Sequence, residues 1–229
     1  DSSKLEDFQE MWDCGTCHAF GVSALGRPDA CPDCGSIAIT ARKILRPVGF
    51  LTAKAPHTGY ESLAFSPYVA PRVSAQGGDW VALPDPAAGR YRHDAAGLVV
   101  TRSSGRLGGG FAICLECGRA APMEEDVQAV AAPLPESIRR HVPLARSRST
   151  RLTSDGHCPG GYTLPNRLQK HVHLAQTSHT DVFELQLPPP ATEAQALALA
   201  AALREVLCAR LGVEIPEIGL TSGPSVGAD

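Results

Sequence analysis

No run of eighteen apolar residues occurs anywhere in the chain, which leaves no candidate for a membrane-spanning helix. No positively charged leader with an apolar centre stands at its start, so a soluble, unsecreted, cytoplasmic protein without a membrane partner is expected. A surplus of one charge is also missing: 21 Lys and Arg face 24 Asp and Glu. Aromatic residues make up only 5%, while 22 glycines and 19 prolines punctuate the sequence, so long uninterrupted helices cannot dominate.

Several catalytic signatures are absent as well. The sequence holds no G-x4-G-K-[ST] phosphate loop, no G-x-G-x-x-G opening a helix and no G-x-S-x-G elbow. The glycine-rich "GRLGGGF" precedes a strand and lacks a lysine that would reach a phosphate, so a hairpin turn is expected there. An enzyme is not expected in this chain.

Cysteine is what the sequence has in pattern. Cys14 and Cys17, Cys31 and Cys34, and Cys114 and Cys117 form three Cys-x2-Cys knuckles among eight cysteines. Nothing indicates an oxidising compartment, and paired knuckles then argue for zinc before disulfides. Cys14, Cys17, Cys31 and Cys34 fit a four-cysteine zinc ribbon, with Gly15 and Gly35 allowing the tight turns around the sulfurs. Four protein ligands leave no open position for water, so this site is expected to be structural.

The third knuckle is half a site. Candidates to complete Cys114 and Cys117 are Cys158, His141, His157 and Cys208. Cys208 falls on the flank of an amphipathic helix from about Glu193 to Leu211, opened by a Thr192/Gln195 capping box and stopped by Gly212. Its stripe comprises Leu199, Leu203, Val206, Leu207 and Leu211, so Cys208 reads as a core cysteine. Cys158 lies between turn residues, where a ligand is expected. Adjacent His157 and Cys158 would reach one ion only with strain, which ranks His141 first and His157 second as the fourth ligand.

His171, His173 and His179 with Asp181 form another histidine-rich stretch, but no accompanying general base or H-E-x-x-H pair makes it a catalytic metal site. These histidines read as solvated or satisfied in the core.

Charge is uneven along the chain. Arg139, Arg140, Arg146, Arg148, Arg151, Arg167 and Lys170 stand against the single acid Asp155 between residues 139 and 173, with Ser and Thr interspersed. Such a segment suits phosphate contacts to a nucleic-acid backbone, or simply a solvated basic loop. Trp12, Trp80, Phe111 and Tyr68 are anchors for the other class of function, a protein docking scaffold.

The expected class is α+β: a helical lead-in at "LEDFQEMW", a zinc ribbon over 1–45, and an α+β metal-binding domain over 46–229. Strands are expected in "IAITARKILRPVGF", "DWVALPD", "GLVVTRSS", "GFAICLE" and before the "PPP" spacer. Short helices interrupted by Pro133 and Pro135 and a final strand at "VEIPEIGL" complete the expectation.

The order "RPVGF", "CLECGR", "HVPL", "CPGG", "HTDVFELQL" and "ALREVLCARLGVEIPEIG" resembles the cysteine-rich, MZB-type metal-binding C-terminal region of large bacterial DEAD/DEAH-box helicases. The same region occurs in helicase-associated subunits of DISARM-like phage-defence systems. The resemblance runs from about Cys14 to Leu220 and implies metal at Cys114, Cys117 and Cys158, with His141 supplied by the H-x-P-L segment. It also implies helicase motor domains as partners, in cis or in trans, DNA as a partner, and a role in defence or DNA repair. The second glycine of "CPGG" departs from the pattern, and a further glycine-rich helical segment is missing. The chain is therefore expected to be a piece of something longer.

Overall fold

The computed structural model describes residues 8–47, 70–75, 77–124, 133–143, 152–161 and 163–223. Nine strands and two helices follow one another as β1 (Phe8–Cys14), β2 (Phe20–Ser23), β3 (Ile39–Leu45), β4 (Arg72–Ser74), β5 (Val81–Ala82), β6 (Arg90–Ser103), β7 (Gly108–Cys114), β8 (Ala120–Glu124), α1 (Glu136–Arg139), β9 (Leu168–Gln186) and α2 (Glu193–Leu211). The strand-rich α+β class is as the sequence predicts.

The spine is β9, 19 residues long. Its start, from Leu168 to Val172, pairs antiparallel with β7, which in turn pairs with β8. His173 and Leu174 then run parallel to Ile44 and Leu45 of β3, and the rest pairs antiparallel with β6. The main sheet has the order β2-β1-β3-β9-β6-β4, with β5 adding to β6. The N-terminal cysteine segment is thus hydrogen-bonded through β3 to β9, the spine of the sheet.

Apolar alternation decides how this sheet curls. Met11 and Phe20, Ile44, Val100 and Ala175 come from β1, β2, β3, β6 and β9 and bury one shared cluster, joined by Val22 and Leu98. Edge strands β2 and β4 meet around it through side chains. Arg72 of β4 donates from Nη1 to the Asp13 carboxylate at 2.7 Å and from Nη2 to the His18 carbonyl at 2.9 Å, and its guanidinium lies 4.5 Å from the Phe20 ring centre. On the other face of β1, Trp12 crosses Gly21, where an added Cβ would stand 2.8 Å from the indole.

Several local expectations give way to tertiary pairing. The lead-in is a strand over Phe8–Cys14, because β2 and β3 pair with it on both sides and bury Met11 and Trp12 on opposite faces. The expected last strand is a 3-10 turn at Ile215–Glu217, held by reciprocal Glu214 and Glu217 caps, with Pro216 unable to donate to a ladder. The "GRLGGGF" turn at Gly105 leads β6 into β7, but β7 pairs with β8 and β9, so it is a corner between ladders and not a hairpin. Of the helices expected before His141, only the turn Glu136–Arg139 lies within the described residues; 125–132 fall outside them.

Helix α2 spans Glu193–Leu211 with the Thr192/Gln195 capping box and a left-handed Gly212 stop, as predicted. Its orientation is not. Cys208 is its buried residue, its Sγ 3.8 Å from the Glu214 carbonyl, and Ser222 donates to Glu193 across the same side. The chain after the helix thus folds back past Cys208, and Leu199, Leu203, Val206, Leu207 and Leu211 are left exposed.

Candidate metal centres

Three knuckles share one backbone design. The first cysteine's N–H donates to the carbonyl five residues on: Cys14 to Ala19 at 2.8 Å, Cys31 to Ser36 at 2.8 Å and Cys114 to Arg119 at 2.9 Å. Its own carbonyl accepts from the N–H four residues on, from His18 at 3.1 Å, Gly35 at 2.8 Å and Gly118 at 2.8 Å. That fourth residue must be left-handed, with φ of 60° at His18, 72° at Gly35 and 75° at Gly118. Glycine takes this shape at little cost; His18 does not. The two hairpins β1-knuckle-β2 and β7-knuckle-β8 are therefore repeats of one device, each strand delivering its final cysteine into a cluster.

At the first centre Cys14, Cys17, Cys31 and Cys34 place their sulfurs within 4.8 Å of one another. The Cys14 to Cys34 and Cys17 to Cys31 separations are 3.7 and 3.5 Å. A disulfide needs about 2.05 Å, whereas a tetrahedral zinc with sulfurs at about 2.3 Å spaces them by about 3.8 Å. All eight cysteines are free. Trp12, Ala19 and Ile39 wall the cluster, leaving Cys34 exposed.

At the second centre the sequence alternatives resolve. Cys114, Cys117, Cys158 and His141 meet within the same 4.8 Å limit, with Cys114 and Cys158 sulfurs 3.8 Å apart and Cys117 Sγ 3.1 Å from His141 Nε2. The carbonyl of Ile138, on the single turn α1, takes the Nδ1 proton of His141 at 2.7 Å and so turns Nε2 toward the sulfurs. Ile138 is fully buried in the apolar cluster beside the site. The backbone bond from Cys158 N–H to the His141 carbonyl, 2.9 Å, brings the last two ligands together. His157 faces Asp155 at 3.1 Å instead, and Cys208 lies in α2.

Electrostatics within the clusters favours a bound cation. At Cys14 burial pushes the thiol up, but the backbone N–H groups of Cys17 and Thr16 and the adjacent thiols outweigh it and bring it down to about 6. The thiol of Cys117, then its backbone, hold Cys114 down at about 5. Burial pushes Cys17 up to about 12 and raises Cys31 and Cys158, and Cys117 is raised by its contact with Cys114 and by burial. One thiol per cluster is thus biased toward the thiolate, and a bound cation would offset the cost of ionising the raised thiols of Cys17, Cys31, Cys117 and Cys158. The donor sets, four cysteines at one centre and three cysteines with a histidine at the other, are those of closed structural zinc sites.

The remaining predicted residues divide differently. His171 sits at a left-handed bend with Nδ1 3.0 Å from the Gly109 carbonyl, His173 reaches Ser104 at 2.9 Å, His179 reaches the Ala96 carbonyl at 3.1 Å, and Asp181 faces His93 at 3.5 Å. They do not converge. Of the basic set, Arg139 pairs with Glu136 at 3.6 Å within α1, whereas the pairs of Arg140 with Asp155 at 2.9 Å and Arg167 with Glu116 at 2.6 Å join separate segments around the second centre. Lys170 stands on β9, and Arg146, Arg148 and Arg151 lie outside the described residues. Among the aromatic anchors, Trp12 is buried, Phe111 packs on Leu45, Ile113 and Val172, and the Trp80 ring has the Arg90 and Arg92 guanidinium groups each 4.7 Å from its centre. Tyr68 falls outside the described residues.

What sequence reasoning missed is the role of Ile138 and Gly160. An added Cβ at Gly160 would lie 2.5 Å from Cys114 Sγ, so the "CPGG" glycine is the floor of the site. No helix of the described residues is long and apolar enough to cross a membrane. Comparison of the chain with family models, curated proteins and solved structures gives no match.

Proposed function

We propose that this chain is a zinc-stabilised accessory module of a DNA helicase, or of a helicase-associated defence or repair protein, without a reaction of its own. The observation that carries the first half is the pair of closed four-ligand clusters, one of four cysteines and one of three cysteines and a histidine, the first joined to β9 through β3 and the second through β7. Each fills every coordination position with a protein ligand, which suits holding a scaffold and not activating water. The helicase half is supported by the resemblance of the "CLECGR", "HVPL", "CPGG" and "TDVFEL" segments, and the agreement of His141 with the ligand it implies adds weight to it.

DNA contact would fall chiefly to Arg146, Arg148 and Arg151, since Arg139, Arg140 and Arg167 already have carboxylate partners. The test is binding of single- and double-stranded DNA to the zinc-loaded chain over a range of salt. Replacing the three arginines by alanine should weaken binding and flatten the salt slope by up to about three counterions; no salt-dependent binding in the unaltered chain defeats the nucleic-acid part.

A second reading, a protein docking scaffold with the basic loop as bystander, is favoured by one observation. The leucine side of α2 is uncovered, with Val206 54% and Leu211 66% exposed. Under that reading the triple arginine variant keeps its partner, and a charge placed on α2 loses it.

A further inference from the structure

The curled sheet is not closed along its whole length. Arg72 ties β4 to β1 and β2 at the Asp13 end, and toward Gln9 and Ser74 the edges part around a cleft of about 400 Å³. That volume is within the roughly 300 to 1,000 Å³ of ligand pockets. Its apolar walls are Trp12, Val22 and Leu98, and its polar groups include Asp94, Ser74 and Thr177. Neither metal centre contributes a ligand to it.

Asp94 is fixed in place. Its carboxylate accepts from the Gly77 N–H at 2.8 Å and the Ala96 N–H at 2.9 Å, and a Cβ on Gly77 would stand 2.7 Å from the same oxygen that the Gly77 N–H reaches. Those two N–H groups, Ala96 first, hold the acid below the ordinary carboxylate range. Among the described residues the lining contains no lysine or arginine, and its one imidazole is that of His179, whose Nδ1 is 3.1 Å from the Ala96 carbonyl oxygen.

We propose that this cleft receives a lysine or arginine side chain presented by a partner protein. An aliphatic stem along Val22 and Leu98, a cationic head at Asp94 with the Ser74 and Thr177 hydroxyls, and the Trp12 indole beside it are complementary to such a group. A nucleic-acid phosphate would meet the Asp94 carboxylate with no lysine or arginine among the described lining residues to offset it. A wholly apolar ligand would strip water from Asp94 without replacing its bonds. The inference rests on the cleft alone and does not depend on the helicase reading.

The test titrates N-acetyl-lysine methylamide and N-acetyl-arginine methylamide into the isotope-labelled, zinc-loaded chain, with N-acetyl-norleucine methylamide as the stem without charge. With two tryptophans in the chain, the indole N–H signals are separable. The expected result is a saturable shift of the Trp12 indole with the cationic probes, at least tenfold weaker with norleucine and at least tenfold weaker in Asp94→Asn. No saturable shift, or one confined to Trp80, overturns the proposal, as does norleucine binding as well as lysine. An oligonucleotide that shifts Trp12 where the cationic probes do not also overturns it. If Asp94→Asn fails to fold, the comparison of charged and uncharged probes still decides.

Discussion

His141 Nε2 stands 3.1 Å from Cys117 Sγ while the opposite ring nitrogen is engaged by the Ile138 carbonyl. The imidazole is thus oriented from behind by one turn of helix, with Nε2 turned toward the sulfurs as a metal ligand requires. Zinc content per chain, measured by plasma mass spectrometry, should therefore be two in the unaltered protein and one in both Cys114→Ser and His141→Ala. His157→Ala, removing the neighbour that faces Asp155, should retain two. Two zincs surviving in His141→Ala would transfer the fourth position elsewhere.

Removal of metal should cost the fold more than any side chain. Each cluster is surrounded by its own buried group, Trp12, Ala19 and Ile39 at one and Ala112, Ala121, Met123 and Ile138 at the other. Structural zinc contributes on the order of 10 kcal/mol of apparent binding energy in small domains, comparable with the whole stability of a typical domain. A strong chelator should abolish cooperative thermal unfolding. Hydrogen exchange in Cys14→Ser should rise in β1 and β2 first, and in Cys114→Ser in β7 and β8 first.

How much of this is legible in the sequence depends on where the information lies. Metal chemistry is written locally: the Cys-x2-Cys spacing and the left-handed Gly35 and Gly118 announce the knuckles. Helix α2 is equally local, because Thr192, Gln195 and Gly212 mark both ends. The Phe8–Cys14 strand reads as helical because its sequence has no alternation when both faces are covered, Met11 by one cluster and Trp12 by another. The side that α2 buries is not legible either: what covers Cys208 is the chain following the helix, at the Glu214 carbonyl, and not a partner that the leucine spacing could announce. Gly160 announces nothing in sequence; its constraint is a sulfur 46 residues away.

Shared knuckle geometry gives opposite expectations for equivalent residues. His18 carries a left-handed penalty that Gly118 avoids, at φ of 60° and 75°. Gly118→Ala should lower unfolding stability by roughly 1 kcal/mol, since a Cβ there meets nothing within 4 Å and only the backbone shape resists it. His18→Gly should be neutral or stabilising by less than about 1 kcal/mol, the relief being partly offset by the freer unfolded chain. Denaturant midpoints of the zinc-saturated variants provide the comparison.

Acid should act on the core through His173. Burial, then Arg102 and Arg42, hold this imidazole down at about 4, against an ordinary value near 6.5. The unfolded chain then takes up a proton before the native one, so the neutral histidine imposes no penalty above about pH 6.5, and stability falls as pH drops from there toward 4. Between pH 7 and pH 5 the loss assigned to this side chain is about 2 kcal/mol. His173→Gln should unfold with a correspondingly flatter pH dependence, read as the difference from the unaltered chain so that zinc loss cancels. Equal slopes for both would remove His173 as the source.

The uncovered side of α2 separates a core helix from a docking helix. A leucine stripe packed in a core resists charge by several kcal/mol, but Leu203 and Leu207 are 37% and 42% exposed and the buried side carries Cys208. The double change Leu203→Glu with Leu207→Glu should therefore leave two zincs bound and move the midpoint of unfolding by no more than a surface pair does, under about 1 kcal/mol in total. Cys208→Leu on the opposite side should destabilise by roughly 1 to 3 kcal/mol, the cost of overpacking a close contact. If instead the double glutamate variant unfolds and the Cys208 variant does not, the stripe is the packed side and the chain after α2 is not what holds the helix.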